Sequence, residues 1–181
     1  MRIPCSMLVL LALAGPAHAG GVGGYCERDG KRVTFSDGIA FADARKSDGT
    51  VTTTIYFTAR PLDRGALAAC AACAAAPGES TFTSPRRDAV EAQRSATADG
   101  WMEIAHTAGE LELATIVNLM YLAPDGTLTG LDGGNGQVAF TTRNAAHVSG
   151  KVTTEAREPP MNETDMTCDV SFDLAVGWPT R

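Results

Sequence analysis

Cys70-Ala71-Ala72-Cys73 is the sharpest chemical feature of this 181-residue chain. Two thiols three residues apart have the spacing of a redox pair, of half a metal site, or of a small disulfide ring. On an ideal helix, Cα atoms three residues apart lie roughly 5 Å from each other, within the range a disulfide accepts, so the two can close on one another. The chain-entropy model gives so small a ring only ~2 kcal/mol, against ~5 kcal/mol for a bridge between the distant Cys26 and Cys168. A redox role draws on CxxC at a helix start, where the helix N-terminus lowers a thiol pKa. Here the surrounding run predicts a helix beginning at Arg64, which sets both cysteines beyond the first turn where that dipole acts. Two structural disulfides among Cys26, Cys70, Cys73 and Cys168 are therefore expected, with three connectivities open. A thiol redox pair at Cys70 and Cys73 is the rival.

A metal reading would add His106 or His147, or Met161 and Met166 as soft ligands, to Cys70 and Cys73. A zinc signature shows two CxxC pairs, or CxxC with paired histidines; this sequence has one pair and isolated histidines, so each histidine reads as a surface or turn residue. Asp132-Gly133-Gly134-Asn135-Gly136 has a calcium-like composition, but one glycine-rich turn without a repeated acidic pattern reads as a hairpin. Hydrolytic chemistry has less to stand on, since there is no Gly-x-Ser-x-Gly turn and no convergent Ser-His-Asp set. Glu110 and Glu112 share one face of a strand and with Glu103 offer carboxylates, which read as solvated acids on an outer face. Arg86-Arg87 reads as a loop charge pair ahead of a helix rather than a nucleic-acid patch. No catalytic residue and no cofactor is expected.

The compartment follows from the first nineteen residues. Arg2, an apolar run from Met7 to Ala14 and Ala17-His18-Ala19 make a secretory signal with a cleavage site, too short to span a bilayer. A lipid anchor needs a cysteine just after the apolar run; Cys5 precedes it and Cys26 follows a glycine-rich stretch. Export to an oxidising compartment is where disulfides persist. The chain carries 15 basic and 21 acidic residues, net −6, and is one charge more negative without Arg2, so it will not seek nucleic acid or anionic lipid unaided. Its arginine and alanine bias suggests a GC-rich bacterial source, hence periplasm, with secretion to the medium as the other destination. Asn162-Glu163-Thr164 is a sequon that matters only in a glycosylating host.

These residues must be positioned by a mostly β framework. Residues 20–30, opening with four glycines in five, read as a flexible leader, and residues 31–181 as one β-rich domain with a helical insertion at about 63–98. Arg32 to Phe35 reads as a strand ending at the turn pair Asp37-Gly38, with Ile39 and Phe41 offering apolar contact beyond it. Val51, Thr53, Ile55 and Phe57 alternate with Thr52, Thr54, Tyr56 and Thr58, a strand with a core face and a wetter one. Asp63 is an N-cap for an alanine-rich helix over 64–76, closed by Pro77-Gly78, and residues 88–97 form a second, weaker helix. Further strands are predicted over 101–105, 110–122, 127–131, 138–140 and 148–154, with a buried helix as the other reading of 110–122, a hairpin at Asp125-Gly126 and a turn at Asn144. After Pro159-Pro160, Cys168, Val170, Phe172, Leu174 and Val176 alternate with polar residues in a half-buried last strand. The fold class is mainly β, α+β: an antiparallel sandwich or curled sheet with one alanine-rich helix and a second short one.

Gly30 to Asp37 leading into Ala40-Phe41, Ala59-Arg60-Pro61-Leu62-Asp63 before Ala66-Leu67, and Thr142-Arg143-Asn144 followed by Val148-Ser149-Gly150 resemble uncharacterised small secreted or lipid-anchored proteins of proteobacteria. The likeness spans about residues 30–67 and 138–176 and implies a β-rich exported domain with no activity to transfer; Cys70 and Cys73 fall outside it. The expected function is an exported, non-catalytic binding domain with a protein or envelope component as partner, an inhibitor or immunity protein being one concrete form. The alternative is a thiol redox or metal-handling protein built on Cys70 and Cys73.

Overall fold

The computed structural model describes residues 21–28, 30–44, 49–74, 84–95, 100–107, 116–122, 128–135, 138–154 and 166–180. Residues 1–20, read above as carrying a signal, Asp125-Gly126, Glu110, Glu112, Gly136, Pro77-Gly78, Pro159-Pro160, Met161 and the sequon lie outside these residues.

The strands are β1 (Val22–Arg28), β2 (Lys31–Phe35), β3 (Asp37–Ala44), β4 (Val51–Thr58), β5 (Trp101–Thr107), β6 (Ile116–Leu122), β7 (Leu128–Asn135), β8 (Val138–Arg143), β9 (His147–Thr154) and β10 (Met166–Ala175). Between β4 and β5 come α1 (Arg64–Ala69), a 3₁₀ turn (Ala71–Ala74) and α2 (Pro85–Ser95). The strands build two five-stranded antiparallel sheets, β2-β1-β10-β9-β8 and β3-β4-β5-β6-β7. Every pairing joins strands adjacent in the chain except β1 with β10, which brings the first strand onto the last. The crossing from β2 to β3 passes through Ser36 alone, whose N–H donates to the Thr58 carbonyl at 3.0 Å and whose hydroxyl donates to Ala59 O at 2.9 Å. The α+β sandwich expected from the sequence is the fold.

Alternation decides what lies between the sheets. In β10, Cys168, Val170, Phe172 and Leu174 are buried while Thr167, Asp169, Ser171 and Asp173 are exposed, the period of two that a half-covered strand imposes. Opposite them stand Ile55 and Phe57 of β4 and Met102 and Ile104 of β5. Phe57 contacts Phe35 and Phe172, with ring centroids 6.0 and 5.2 Å away.

A second core lies on the other face of the second sheet, where Ile39, Phe41, Tyr56 and Trp101 meet Leu62, Leu67 of α1 and Val90 of α2. The molecule therefore has three layers: sheet, sheet and helices. This corrects the expectation of a wetter face on β4, for Thr52, Thr54, Tyr56 and Thr58 are all buried, Tyr56 against the helical layer.

Other expectations change for local reasons. The glycine leader is partly β1: Gly24 sits at φ +122°, and a Cβ there would collide with the Asp169 carbonyl of β10, so glycine is what lets the strand pair so closely. Asp37-Gly38 is not a turn but the start of β3. The buried Asp37 carboxylate accepts from Gly38 N at 2.7 Å, Leu62 N at 2.8 Å and Arg64 Nη2 at 2.7 Å. A Cβ on Gly38 would stand 2.6 Å from Val22 Cγ2. Asp132 to Asn135 lie within β7, not in a turn. The helix expected over 64–76 stops at Ala69, and α2 starts earlier than expected, at Pro85.

Candidate functional site

The helical layer carries most of the chemistry-bearing groups. Asp63 caps α1, its Oδ1 accepting from Ala66 N at 2.9 Å. Gln93 of α2 brackets the same residue, accepting from Asp63 N at 2.9 Å and donating to Asp63 O at 3.1 Å, so the two helices are pinned at that end. At its other end α1 breaks at Cys70, which adopts extended geometry and donates its N–H to Leu67 O at 3.1 Å. The chain turns tightly there, Cys73 N donating to Cys70 O at 3.1 Å. The Cα atoms of Cys70 and Cys73 are 5.3 Å apart and the sulfurs are bonded.

Cys73 is fully buried and Cys70 half-buried. Cys73 Sγ touches the first residue of α2, 3.3 Å from Pro85 O, and Arg86 Nε donates to Cys73 O at 2.9 Å. Arg86 also donates to Ala42 O at 3.0 Å and pairs with Asp43 at 3.1 Å, tying the turn to β3. Trp178 closes the far side, its Nε1 donating to Leu67 O at 3.1 Å and its ring meeting Phe41 edge-on at 5.3 Å.

Beneath α2 lies a buried charged cluster. Arg87 Nη2 pairs with Glu103 Oε1 of β5 at 2.6 Å. The Arg94 guanidinium lies 3.9 Å over the Trp101 ring and 4.6 Å over Tyr56, and the Tyr56 hydroxyl donates to Glu91 Oε1 at 3.3 Å. Burial pushes the Glu103 carboxyl up, with Arg87 drawing it back down. Burial, and then the nearby Glu103 charge, push the Tyr56 phenol far above its ordinary value. Burial pulls Arg94 down to about 10, so it stays charged at neutral pH. The adjoining cavity, lined by Thr58, Arg60, Leu62, Gln93, Arg94 and Gly100, holds about 40 Å³, room for water but not for an organic substrate. The cluster clamps α2 to the sheet.

Arg86, Arg87 and Glu103 are thus corrected: Arg86 and Arg87 occupy the first turn of α2, and Glu103 is buried against Arg87 rather than solvated. Arg87, Val90, Glu91 and Arg94 recur at helical spacing and so share one face. That spacing was visible in the sequence, but a search for apolar periodicity passes over a charged stripe.

The four cysteines form Cys26–Cys168 and Cys70–Cys73. His106 is not a surface residue: it follows Met102 and Ile104 on the inner face of β5, is buried, and has its ring 5.8 Å from Phe140. His147 starts β9 and binds Asp173 of β10 at 2.6 Å on the outer face of the first sheet. The structure therefore keeps Cys70 with Cys73 but separates them from His106 and His147. No group of three or more His, Cys, Asp or Glu positioned for a metal occurs among the described residues. Nor, among them, is any helix long and apolar enough to cross a membrane.

The outer face of the first sheet differs from that of the second. Among the described residues no helix covers it. Tyr25 lies under the Arg32 guanidinium at 4.0 Å, Arg32 pairs with Glu27 at 2.7 Å, and Thr34, Lys151, Thr153, Asp169 and Ser171 fill the neighbouring positions. Comparison of this chain with protein-family models, with curated proteins and with solved structures finds no match.

Proposed function

We propose that this chain is an exported, non-catalytic binding domain of a bacterial envelope or periplasm that engages a protein partner through the outer face of its first sheet. The observation that carries the reading is the inequality of the two outer faces. One is sealed by helices over a charged cluster. The other displays Tyr25 and Arg32, residue types that anchor interfaces, among short hydroxyl side chains. The secretory character of residues 1–19 and the two disulfides support an oxidising destination. The charged groups of the helical layer are committed to packing, which supports binding over turnover. An inhibitor or immunity protein against a secreted toxin is a concrete form of the proposal.

The test is affinity capture from periplasmic extract with the wild-type chain and with a Tyr25→Ala, Lys151→Glu variant, beside an activity screen. A stoichiometric protein partner lost by the variant at unchanged melting temperature supports the reading. Capture indifferent to both changes, or turnover without a stable partner, overturns it.

A further inference from the structure

The sulfurs of Cys70 and Cys73 are equivalent in the sequence and unequal in the fold. Cys70 stands half-buried where α1 ends in extended backbone, whereas Cys73 is enclosed against the first turn of α2. Burial closes the Cys73 side of the bond to an incoming thiol and leaves the Cys70 side for an approach. We infer that Cys70–Cys73 is a thiol–disulfide exchange site at which a dithiol substrate attacks Cys70 and Cys73 is the buried leaving sulfur. The site lies on the helical side of the sandwich and does not depend on the outer face of the first sheet.

The exchange balances in two displacements. The first thiol of the substrate loses its proton to solvent, and its sulfur bonds to Cys70 Sγ. The Cys70–Cys73 bond breaks, its electron pair leaves on Cys73, and Cys73 takes a proton from solvent. The second substrate thiol, deprotonated in turn, attacks the substrate's own sulfur in the mixed disulfide. Cys70 is released and protonated. Two electrons and two protons have passed from the dithiol to the Cys70–Cys73 pair, and the substrate departs as a disulfide.

Three features of the surroundings suit these steps. The first turn of the 11-residue α2, and Arg86, whose Nε donates to the Cys73 carbonyl at 2.9 Å, place positive charge beside the residue on which negative charge appears. Pro85 O, 3.3 Å from Cys73 Sγ, accepts a hydrogen bond that a disulfide sulfur cannot donate and a thiol can, so reduction gains a contact. Finally, the layer has fastenings besides the sulfur bond: Gln93 holds Asp63, Trp178 holds Leu67 and Arg86 holds Asp43, all through atoms other than the two sulfurs. A ring closed over a separation of 3 residues constrains the unfolded chain little.

The experiment exposes the folded, oxidised chain to millimolar dithiothreitol without denaturant, quenches with an alkylating reagent at intervals and maps the modified cysteines by mass. Cys70 and Cys73 are expected to be alkylated at least tenfold faster than Cys26 and Cys168, with melting nearly unchanged. Oxidised glutathione is then the probe for the single variants. Cys73→Ser, which leaves Cys70 free, should form the mixed disulfide at least tenfold faster than Cys70→Ser, which leaves only the buried sulfur. Opening of both disulfides together, opening only on global unfolding, or similar rates for the two variants would overturn the assignment. If a variant fails to fold, brief exposure of the wild-type chain to reduced glutathione and mapping of the mixed disulfide decides the same question: the adduct is expected on Cys70, and an adduct on Cys73 would overturn the assignment.

Discussion

The two disulfides make the same bond in opposite settings. Cys26 and Cys168 face each other in register on β1 and β10, the one strand pairing that joins the ends of the fold, across a sequence separation of 142 residues. Both side chains point into the core between the sheets. Cys70 and Cys73 stand 3 positions apart in the chain, where α1 ends, with Cys70 half-buried and Cys73 enclosed. Since a cross-link stabilises chiefly by restricting the unfolded chain, the first acts on the whole domain and the second, at ~2 kcal/mol against ~5 kcal/mol, on a single turn. The contrast teaches that the helical layer is held by directed side-chain contacts, while the first sheet is held by a covalent staple.

The largest effect should come from removing that staple. Replacing Cys26 and Cys168 with alanine is expected to cost about 5 kcal/mol, measured by denaturant unfolding without reductant. That is a large share of the roughly 5–15 kcal/mol available to a domain. A loss under about 1 kcal/mol would break the comparison outright. Next in size is the clamp beneath α2. Arg87→Met strands the buried Glu103 carboxylate and should cost about 3 kcal/mol. Replacing both residues, Arg87→Met with Glu103→Leu, should recover most of the loss, because an apolar pair of similar volume needs no compensating charge. Failure of the double variant to recover would mean that the pair also directs how α2 docks.

How far this contrast was legible in the sequence can be argued residue by residue. β10 was readable because Cys168, Val170, Phe172 and Leu174 alternate with polar residues and only one of its faces is covered. β4 was readable as a strand, but its threonine-rich face fits water or a helix equally well, and only the tertiary fold lays α1 and α2 over it. The alanine run from Ala66 has the propensity to continue as helix, yet backbone geometry at Cys70 and the closure with Cys73 end it there; tertiary context outweighs a weak local preference. The cysteine pairing needed the register of β1 against β10, which no local pattern supplies. Arg87, Arg94 and Glu103 were hidden by the sound default that charge is solvated; burying them requires a partner on a distant strand, and spacing along one helix does not say which.

Third in size is the small ring. Cys70→Ser with Cys73→Ser should lower stability by no more than about 2 kcal/mol, with near-ultraviolet dichroism of Trp101 and Trp178 retained. A loss as large as that of the Cys26 and Cys168 variant would mean the ring, rather than Arg86, Gln93 and Trp178, fastens the layer.

The smallest effect is a pH dependence lodged in the same layer. Tyr56 is fully buried against α2, and its folded-state pKa is raised above the ordinary phenol value. The unfolded chain ionises near pH 10, where the folded chain still holds its proton. The folded state therefore binds more protons, and stability falls as pH rises: the contribution is whole below about pH 10 and is lost above it, at up to about 1.4 kcal/mol per pH unit. Tyr56→Phe keeps the ring beneath Arg94 and gives up the hydroxyl's hydrogen bonds to Glu91 and to the buried Glu103, a loss of about 1–2 kcal/mol that is already present at neutral pH. Between pH 10 and 11 it should lose about 1 kcal/mol less than wild type, read as the difference between two denaturant midpoints with Cys26–Cys168 intact in both. Equal slopes would mean that the Tyr56 hydroxyl reaches water in the folded chain. The helical layer would then be opening locally while the staple holds the sandwich shut, which is the comparison of the two regions carried to its limit.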